Sequence, residues 1–141
     1  MEENKFSVEI VKSWPENLNI VDKMAFRTFT NGEKLSGDPT VLDVRAAANL
    51  HVVNPTASNP EYDVIAFMTD FGLYYTGSET VKDMAFEIIE AVLKEEKNIE
   101  IFTFRTAVKE SVKNKGRKYL TLMLLGAATH AEIEAAKGSV N

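Results

Sequence analysis

The chain of 141 residues contains no cysteine and no long hydrophobic run. Without cysteine it forms no disulfide and offers no thiolate nucleophile or cysteine-ligated metal site. Its uninterrupted apolar runs, 122–125 among them, are only a few residues long, whereas a membrane-spanning helix needs about 20. The N-terminal MEENKFSVEIVK lacks the apolar stretch of a signal peptide. These absences favour a cytoplasmic protein that does not enter a membrane.

Patterns that indicate catalysis or metal binding are also missing. The two histidines, His51 and His130, stand apart, without metal-ligand spacing or a triad pattern. No glycine-rich phosphate loop occurs. Asp-Phe-Gly at 70–72 resembles a kinase motif but lacks every other kinase signature, so it predicts a tight turn. We therefore expect no enzyme activity, no catalytic residue, no metal and no cofactor.

Positive charge is scarce overall but concentrated in one place. The net charge is −5, yet six of the sixteen Lys and Arg lie between Arg105 and Lys118, opposed only by Glu110. Local charge matters more than the total, because the Debye length at physiological salt is only about 8 Å. The window therefore predicts a binding site for a polyanion.

Hydrophobic periodicity predicts a mixed, mainly β domain. Apolar and polar residues alternate from 40 to 53, which predicts one long, half-buried strand. Gly116 can adopt positive φ in a turn between two later strands. The predicted elements are a short helix with Asp22 as its N-cap, strands at 40–53, 61–69, 73–76, 99–109 and 118–125, a helix at 79–96, and a short helix at 129–138.

This order, three strands, a helix and two strands, is that of the OB-fold. That fold is a partly open five-stranded barrel that binds oligonucleotides with its second and third strands and its 1–2 and 4–5 loops. The basic window falls in the 4–5 loop, although many α+β folds share these elements. We expect an OB-like α+β fold with an N-terminal arm or edge strand over 1–16, a nucleic-acid-binding domain over 17–126 and a C-terminal tail over 127–141.

A binder of single strands needs cations that follow the phosphates and aromatic rings that stack on bases. Either Tyr74 or Tyr75 faces outward, and Tyr74 is favoured because Leu73 and Tyr75 form a plausible core pair. Trp14 could stack on a base or hold the N-terminal arm. The predicted nucleic-acid-binding residues are Arg105, Lys109, Lys113, Lys115, Arg117 and Lys118 in the basic window, Arg27 and Arg45, and the aromatic residues Tyr62, Phe67 and Tyr74.

Other interpretations stay open at this stage. A charged hairpin is also typical of a solvated turn, and aromatic residues on strands are more often core than binding surface. The alternative function is a protein-docking module that works through the acidic helix face or the strand at 6–10. Duplex DNA and RNA are further candidate ligands, because charge and stacking alone do not sense a 2′-hydroxyl.

The chain also resembles the small single-stranded DNA-binding proteins of protein-primed tailed phages that infect Gram-positive bacteria. The resemblance spans about 22–124 and rests on DKMAFRTFTNGEKLSG, TVLDV, FMTDFGLYYTGSETVKDMAFEIIEAV and FTFRTAVKESVKNKGRKYLTLML. It implies an OB-like barrel that coats the displaced strand during phage DNA replication in the host cytoplasm, alongside replication proteins.

The same resemblance implies base stacking on tyrosines, and the Leu-Tyr step before the family's helix matches Tyr74. The chain departs from the family pattern at two points. It has Leu50 and His51 where the family has a tyrosine near the end of the first strand, and it has no tyrosine in the 1–2 loop before Tyr62. Some family members self-associate through an N-terminal extension, which implies that role for 1–16.

Overall fold

The computed structural model describes residues 6–113 and 116–138. The α+β class is confirmed, but the predicted order of three strands, a helix and two strands is not, because four strands occupy residues 40–76 before the long helix. The elements are β1 (Ser7–Trp14), α1 (Ile20–Arg27), a 3-10 turn (Phe29–Asn31), β2 (Glu33–Lys34), β3 (Thr40–Val44), β4 (Ala46–Val53), β5 (Glu61–Thr69), β6 (Gly72–Thr76), α2 (Glu79–Glu95), β7 (Ile99–Glu110), β8 (Lys118–Thr129) and α3 (His130–Gly138).

The strands form two sheets that do not close into a barrel. The larger sheet has the order β1-β4-β5-β6-β2, and the smaller has the order β3-β7-β8. The single strand predicted over 40–53 is wrong, because the chain breaks at Arg45 between β3 and β4. β3 pairs with β7 while β4 pairs with β5, so this segment joins the two sheets.

The larger sheet is buried on both faces. Its inner face shares a first core with the smaller sheet and α2, in which Phe67, Phe102 and Phe104 are fully buried. Its outer face is covered by α1 and the 3-10 turn, which bury Phe26 and Phe29 in a second core. The smaller sheet therefore carries the open face among the elements described here.

Helix boundaries follow local signals, with one correction. The predicted helix at 79–96 is confirmed as α2, and the hydroxyl of Ser78 caps it by accepting a hydrogen bond from the Val81 amide at 3.3 Å. Asp22 is not the N-cap of α1. Asn19 takes that role, since its side-chain oxygen accepts from the Asp22 amide at 2.8 Å. Within 6–113 and 116–138 no helix has the length and apolarity to cross a membrane.

Candidate nucleic-acid interface

The β7–β8 hairpin places the basic window on a long antiparallel ladder. Arg105 lies opposite Met123 and Lys109 lies opposite Tyr119, so Arg105 and Lys109 share one face, as predicted from their spacing. The backbone N–H of Ser111 donates to the carbonyl of Arg117 at 2.8 Å and closes the loop. This hydrogen bond marks the end of the β7–β8 ladder at the turn of the hairpin.

The outer face of the smaller sheet combines cations with exposed apolar groups. Val41 on β3, Arg105 on β7 and Met123 on β8 lie side by side and face outward. Four residues further along the hairpin, Lys109 and Tyr119 form another outward-facing pair. Met123 is 57% exposed and Tyr119 is 40% exposed. We call this surface the basic sheet face, with the members Val41, Arg105, Ala107, Lys109, Tyr119, Thr121 and Met123.

The described cations of the window are exposed. None of those the structure describes in the window forms an ion pair with another described residue. The nearby carboxylate of Glu110 accepts a hydrogen bond from the Gly116 amide at 3.2 Å. This set is therefore free to meet an external anion: Arg105, Lys109, Lys113, Arg117 and Lys118.

Lys118 and Lys115 differ from the other predicted cations of the hairpin. Lys118 lies opposite Glu110 on the inward side of the ladder, where it lines a recess of about 210 Å³ with Val108 and Leu120. It therefore borders the basic sheet face rather than belonging to it. Lys115, also predicted to bind, lies outside the described residues.

Aromatic rings border the other end of the basic sheet face. Phe71 is 93% exposed at the β5–β6 turn, where Gly72 has a φ of 130°, a conformation that favours glycine. Tyr74 and Phe71 line a small recess of about 110 Å³ together with Val41 and Asp43. Tyr74 thus lies beside the basic sheet face, but it is half-buried against the first core instead of facing fully outward.

The β6 register answers one question that the sequence left open, and the packing of Trp14 answers another. Leu73 and Tyr75 pack on the second core, as predicted, and the Tyr75 ring lies 4.9 Å from that of Phe29. Trp14 is buried and meets Phe102 edge to face at 4.7 Å between centroids. Trp14 therefore holds β1 against the core and presents no ring face to a base.

The structure removes Phe67 from the candidate surface. Its ring is fully buried, 5.9 Å from that of Phe104, so it cannot stack on a base. Tyr62 is half-buried against the second core, on the opposite side of the larger sheet from Phe67. The physical reason is that Phe67 faces the first core, where the smaller sheet and α2 cover it, whereas α1 covers the outer face that carries Tyr62.

The two predicted arginines outside the hairpin also lie apart from it. Arg45, at the break between β3 and β4, lies 3.7 Å from a carboxylate oxygen of Asp22 and 3.6 Å from one of Asp70. These carboxylates compensate its charge and weaken it as a phosphate contact. Arg27 is on α1, beside β1, and lines a different groove.

A separate polar cluster surrounds His51 on the larger sheet. Its Nδ1 lies 2.9 Å from Asp63 and its Nε2 lies 3.0 Å from Glu61. The hydrogen bond to Asp63, followed by that to Glu61, raises the pKa of His51 above its ordinary value of 6.5. In the described part of the chain, no group of three or more acidic or histidine side chains is arranged to hold a metal ion.

Several members of the interface are not indicated by residue type alone. Val41, Tyr119 and Met123 join the surface through strand pairing, and Phe71 borders it from the β5–β6 turn. The sequence nevertheless contained a signal for Tyr119, because a hairpin turn at Gly116 places the residues after it opposite Lys109.

Comparison of the chain with protein-family models, curated proteins and solved structures gives no match.

Proposed function

We propose that the chain is an OB-like, non-enzymatic protein that binds single-stranded DNA with low sequence preference. The observation that carries the proposal is the placement of Arg105 and Lys109, which form no ion pair with a described residue, beside Tyr119 and Met123 on an open sheet face. Phosphates require cations at repeated intervals, and unpaired bases require apolar or aromatic surface. Arg105 and Lys109 are four residues apart on one strand, about 14 Å, so they can reach successive positions on an extended strand.

Chain connectivity supports the OB-like part of the proposal. β3 and β4 together take the place of a long first strand, β5 and β6 follow, and α2 precedes the β7–β8 hairpin. A partly open five-stranded barrel has this order. The proposed ligand surface, however, is the outer face of β3, β7 and β8, because α1 covers the outer face of β4 and β5.

The mixture of charge and apolar surface favours a single strand over a duplex. A duplex hides the faces of its bases and presents only phosphates and groove edges, so Tyr119 and Met123 would gain little from it. On the resemblance to phage proteins, we further propose that the chain coats single strands during phage DNA replication in the host cytoplasm, alongside replication proteins.

The first test is the salt dependence of binding to labelled oligo-dT, measured by fluorescence anisotropy. Each phosphate contact on a single strand contributes about −0.7 to the slope of log K against log salt. Replacing both Arg105 and Lys109 by Ala should therefore make the slope shallower by about 1.4. The matched control replaces two exposed lysines, Lys94 in the last turn of α2 and Lys97 just after the helix, and should leave the slope unchanged.

Tyr119→Ala provides a second arm of the same experiment. Loss of one stacked base should weaken binding by about 1–3 kcal/mol with little change in the salt slope, since no charge is removed. An unchanged slope in the Arg105 and Lys109 double variant would show that the hairpin is a solvated turn. Equal affinity for a duplex of the same length would contradict the preference for single strands.

A further inference from the structure

The recess of about 110 Å³ beside the basic sheet face lies between β3 and the β5–β6 turn. Its lining includes two aromatic residues, Phe71 and Tyr74, and two acidic residues, Asp43 and Asp70. Its volume is close to that of one nucleobase and too small for a whole nucleotide. The recess is therefore of a size to accept a single flat ring system.

The β5–β6 turn supplies an aromatic wall on a fixed backbone. The hydroxyl of Thr69 donates to the carbonyl of Gly72 at 2.8 Å and accepts from the amide of Phe71 at 3.1 Å. The ring of Phe71 is nevertheless exposed. Every base has a π face, so an exposed ring on a fixed turn offers a stacking surface.

The free edge of β3 supplies backbone hydrogen-bonding groups to the same recess. β3 pairs with β7 on one side, and its other edge carries no strand among the described residues. Thr40 turns both its N–H and its carbonyl towards the hydroxyl of Thr106 on β7, at 3.1 and 3.5 Å. Because backbone groups alternate between the two edges of a strand, those of Val41 and Asp43 point towards the free edge and the recess.

Asp43 is the feature of the recess that phosphate binding does not explain, because a carboxylate repels phosphates. Its Oδ1 accepts from the hydroxyl of Thr103 at 2.7 Å, which orients the carboxylate. Within the described part of the chain, Asp43 has no ion pair and its Oδ2 accepts no hydrogen bond. Asp70 differs, since one of its carboxylate oxygens lies 3.6 Å from Arg45. Asp43 is therefore an oriented acceptor with capacity for an external donor.

Guanine matches these groups better than the other bases do. An ionised carboxylate only accepts hydrogen bonds, and it can accept two side by side. Guanine has two adjacent donors, N1–H and the N2 amino group, next to the acceptor O6, to which an N–H of the β3 edge can donate. Thymine has one donor between two carbonyl oxygens, which a carboxylate repels. Adenine and cytosine each place one amino donor beside an unprotonated ring nitrogen.

We propose that the recess is a base-reading subsite for guanine, in which Asp43 accepts from N1–H and the N2 amino group of one guanine of a bound single strand while Phe71 stacks on its ring. The proposal rests on the proposed function, because the strand must first lie on the basic sheet face. The remaining bases are not read, so the subsite adds a preference at one position to binding that is otherwise of low sequence preference.

The probe is labelled oligo-dT in which one central thymine is replaced by guanine, compared by anisotropy with plain oligo-dT of the same length. We expect the guanine version to bind about fivefold more tightly, the lower end for a bidentate contact with a base. Deoxyinosine lacks the N2 amino group and should bind more weakly than guanine. 7-Deazaguanine, which differs only at the opposite edge of the base, should bind as guanine does. Equal binding of inosine and guanine would show a stacking preference for purines and would overturn the contact with Asp43.

Asp43→Asn tests the reading residue by the ratio of the two affinities, guanine version over plain oligo-dT. The ratio should fall from about five towards one, although plain oligo-dT should bind no less tightly, because the variant removes a negative charge. The matched control is Asp70→Asn, which makes the same change in the same recess and should keep the ratio. A ratio that persists in Asp43→Asn, or that falls only in Asp70→Asn, would overturn the proposal.

The remaining outcomes separate this proposal from the proposed function. Equal affinity of the native protein for the guanine version and plain oligo-dT would overturn the subsite and leave DNA binding intact. Absence of binding to either would overturn both. Free dGMP should bind far more weakly than the oligonucleotide, because it lacks the phosphate contacts of the hairpin. If dGMP binds as tightly, the recess takes a free nucleotide and the proposal that it reads a strand fails.

Discussion

At the scale of one residue, the two carboxylates beside His51 favour the protonated form of its ring. Both ring nitrogens lie within hydrogen-bonding distance of carboxylates, at 2.9 and 3.0 Å. A neutral imidazole can donate from only one nitrogen, whereas the charged ring donates from both. Asp63 and Glu61 therefore stabilise the charged form, and the pKa of His51 is raised.

Because the folded state binds the proton more tightly, the stability contributed by this cluster depends on pH. It is fully present below pH 6.5, the ordinary pKa of the side chain, and is lost as pH rises through the higher folded pKa. We expect an NMR titration to place the pKa of His51 above 6.5 in the native protein. Asp63→Asn should lower this pKa more than Glu61→Gln, because the bond to Asp63 is the larger cause.

The two carboxylate variants serve as controls for each other, since each replaces one carboxylate by a neutral amide and so removes one negative charge beside His51. A His51 pKa at or below 6.5 in the native protein would contradict the geometry of the cluster. A larger drop in Glu61→Gln than in Asp63→Asn would contradict the assigned order of the two bonds. Urea unfolding at several pH values measures the free energy of unfolding. The stability that the native protein gains below pH 6.5 should be absent from His51→Gln.

At the scale of elements, α1 decides which face of the larger sheet a ligand can reach. Phe26 is fully buried between α1 and the outer face of β4 and β5. Removing its ring should destabilise the fold by about 3–5 kcal/mol, as expected for an aromatic core residue. Val21→Ala, at an α1 position that is 72% exposed, should change stability by no more than about 0.5 kcal/mol.

Urea unfolding of the two α1 variants measures the difference directly. If Phe26→Ala costs no more than Val21→Ala, α1 does not cover the sheet in solution. The outer face of β4 and β5 would then be available to a ligand, and Tyr62 would return as a candidate contact.

Elements with a strong local signal could be predicted from the sequence. α2 follows from apolar residues at helical spacing after a break at Gly77, and its observed end at Glu95 is one residue from the predicted end. The β7–β8 hairpin follows from two alternating strands around Gly116, which has a φ of 90°. In each case the pattern and the turn lie within the element itself.

Features that depend on long-range pairing could not be predicted. The alternation over 40–53 correctly marks buried residues, but Leu42 and Val44 belong to the first core while Leu50 and Val52 belong to the second. Alternation of apolar and polar residues indicates that a side chain is buried, but it does not indicate which of two cores buries it. The break at Arg45 follows from that division. The prediction that Phe67 contacts a ligand was wrong because its face of β5 packs against the smaller sheet in the first core.

At the scale of the whole molecule, two charge distributions oppose each other. The window from Arg105 to Lys118 is strongly positive, although the chain as a whole has a net charge of −5. At about 0.15 M salt the Debye length is roughly 8 Å, so a bound strand responds mainly to the nearby cations. At about 0.01 M it is roughly 30 Å, and the acidic remainder also acts on the strand.

The plot of log K against log salt for oligo-dT should therefore flatten towards low salt, as repulsion from distant carboxylates offsets the gain from the hairpin. Replacing Glu87 and Glu95 by Gln tests this, because both are exposed on α2 and have no ion pair to a described residue. We expect the double variant to bind more tightly at about 0.01 M salt and equally at about 0.15 M.

Asp43→Asn is the matched control at short range. Asp43 lies at the edge of the basic sheet face, where its carboxylate accepts a hydrogen bond from Thr103 at 2.7 Å. Its removal should strengthen oligo-dT binding at both salt concentrations, because the charge is close to the strand. If the α2 variant instead strengthens binding equally at both salts, the strand passes along α2, and the ligand path across β3, β7 and β8 is incorrect.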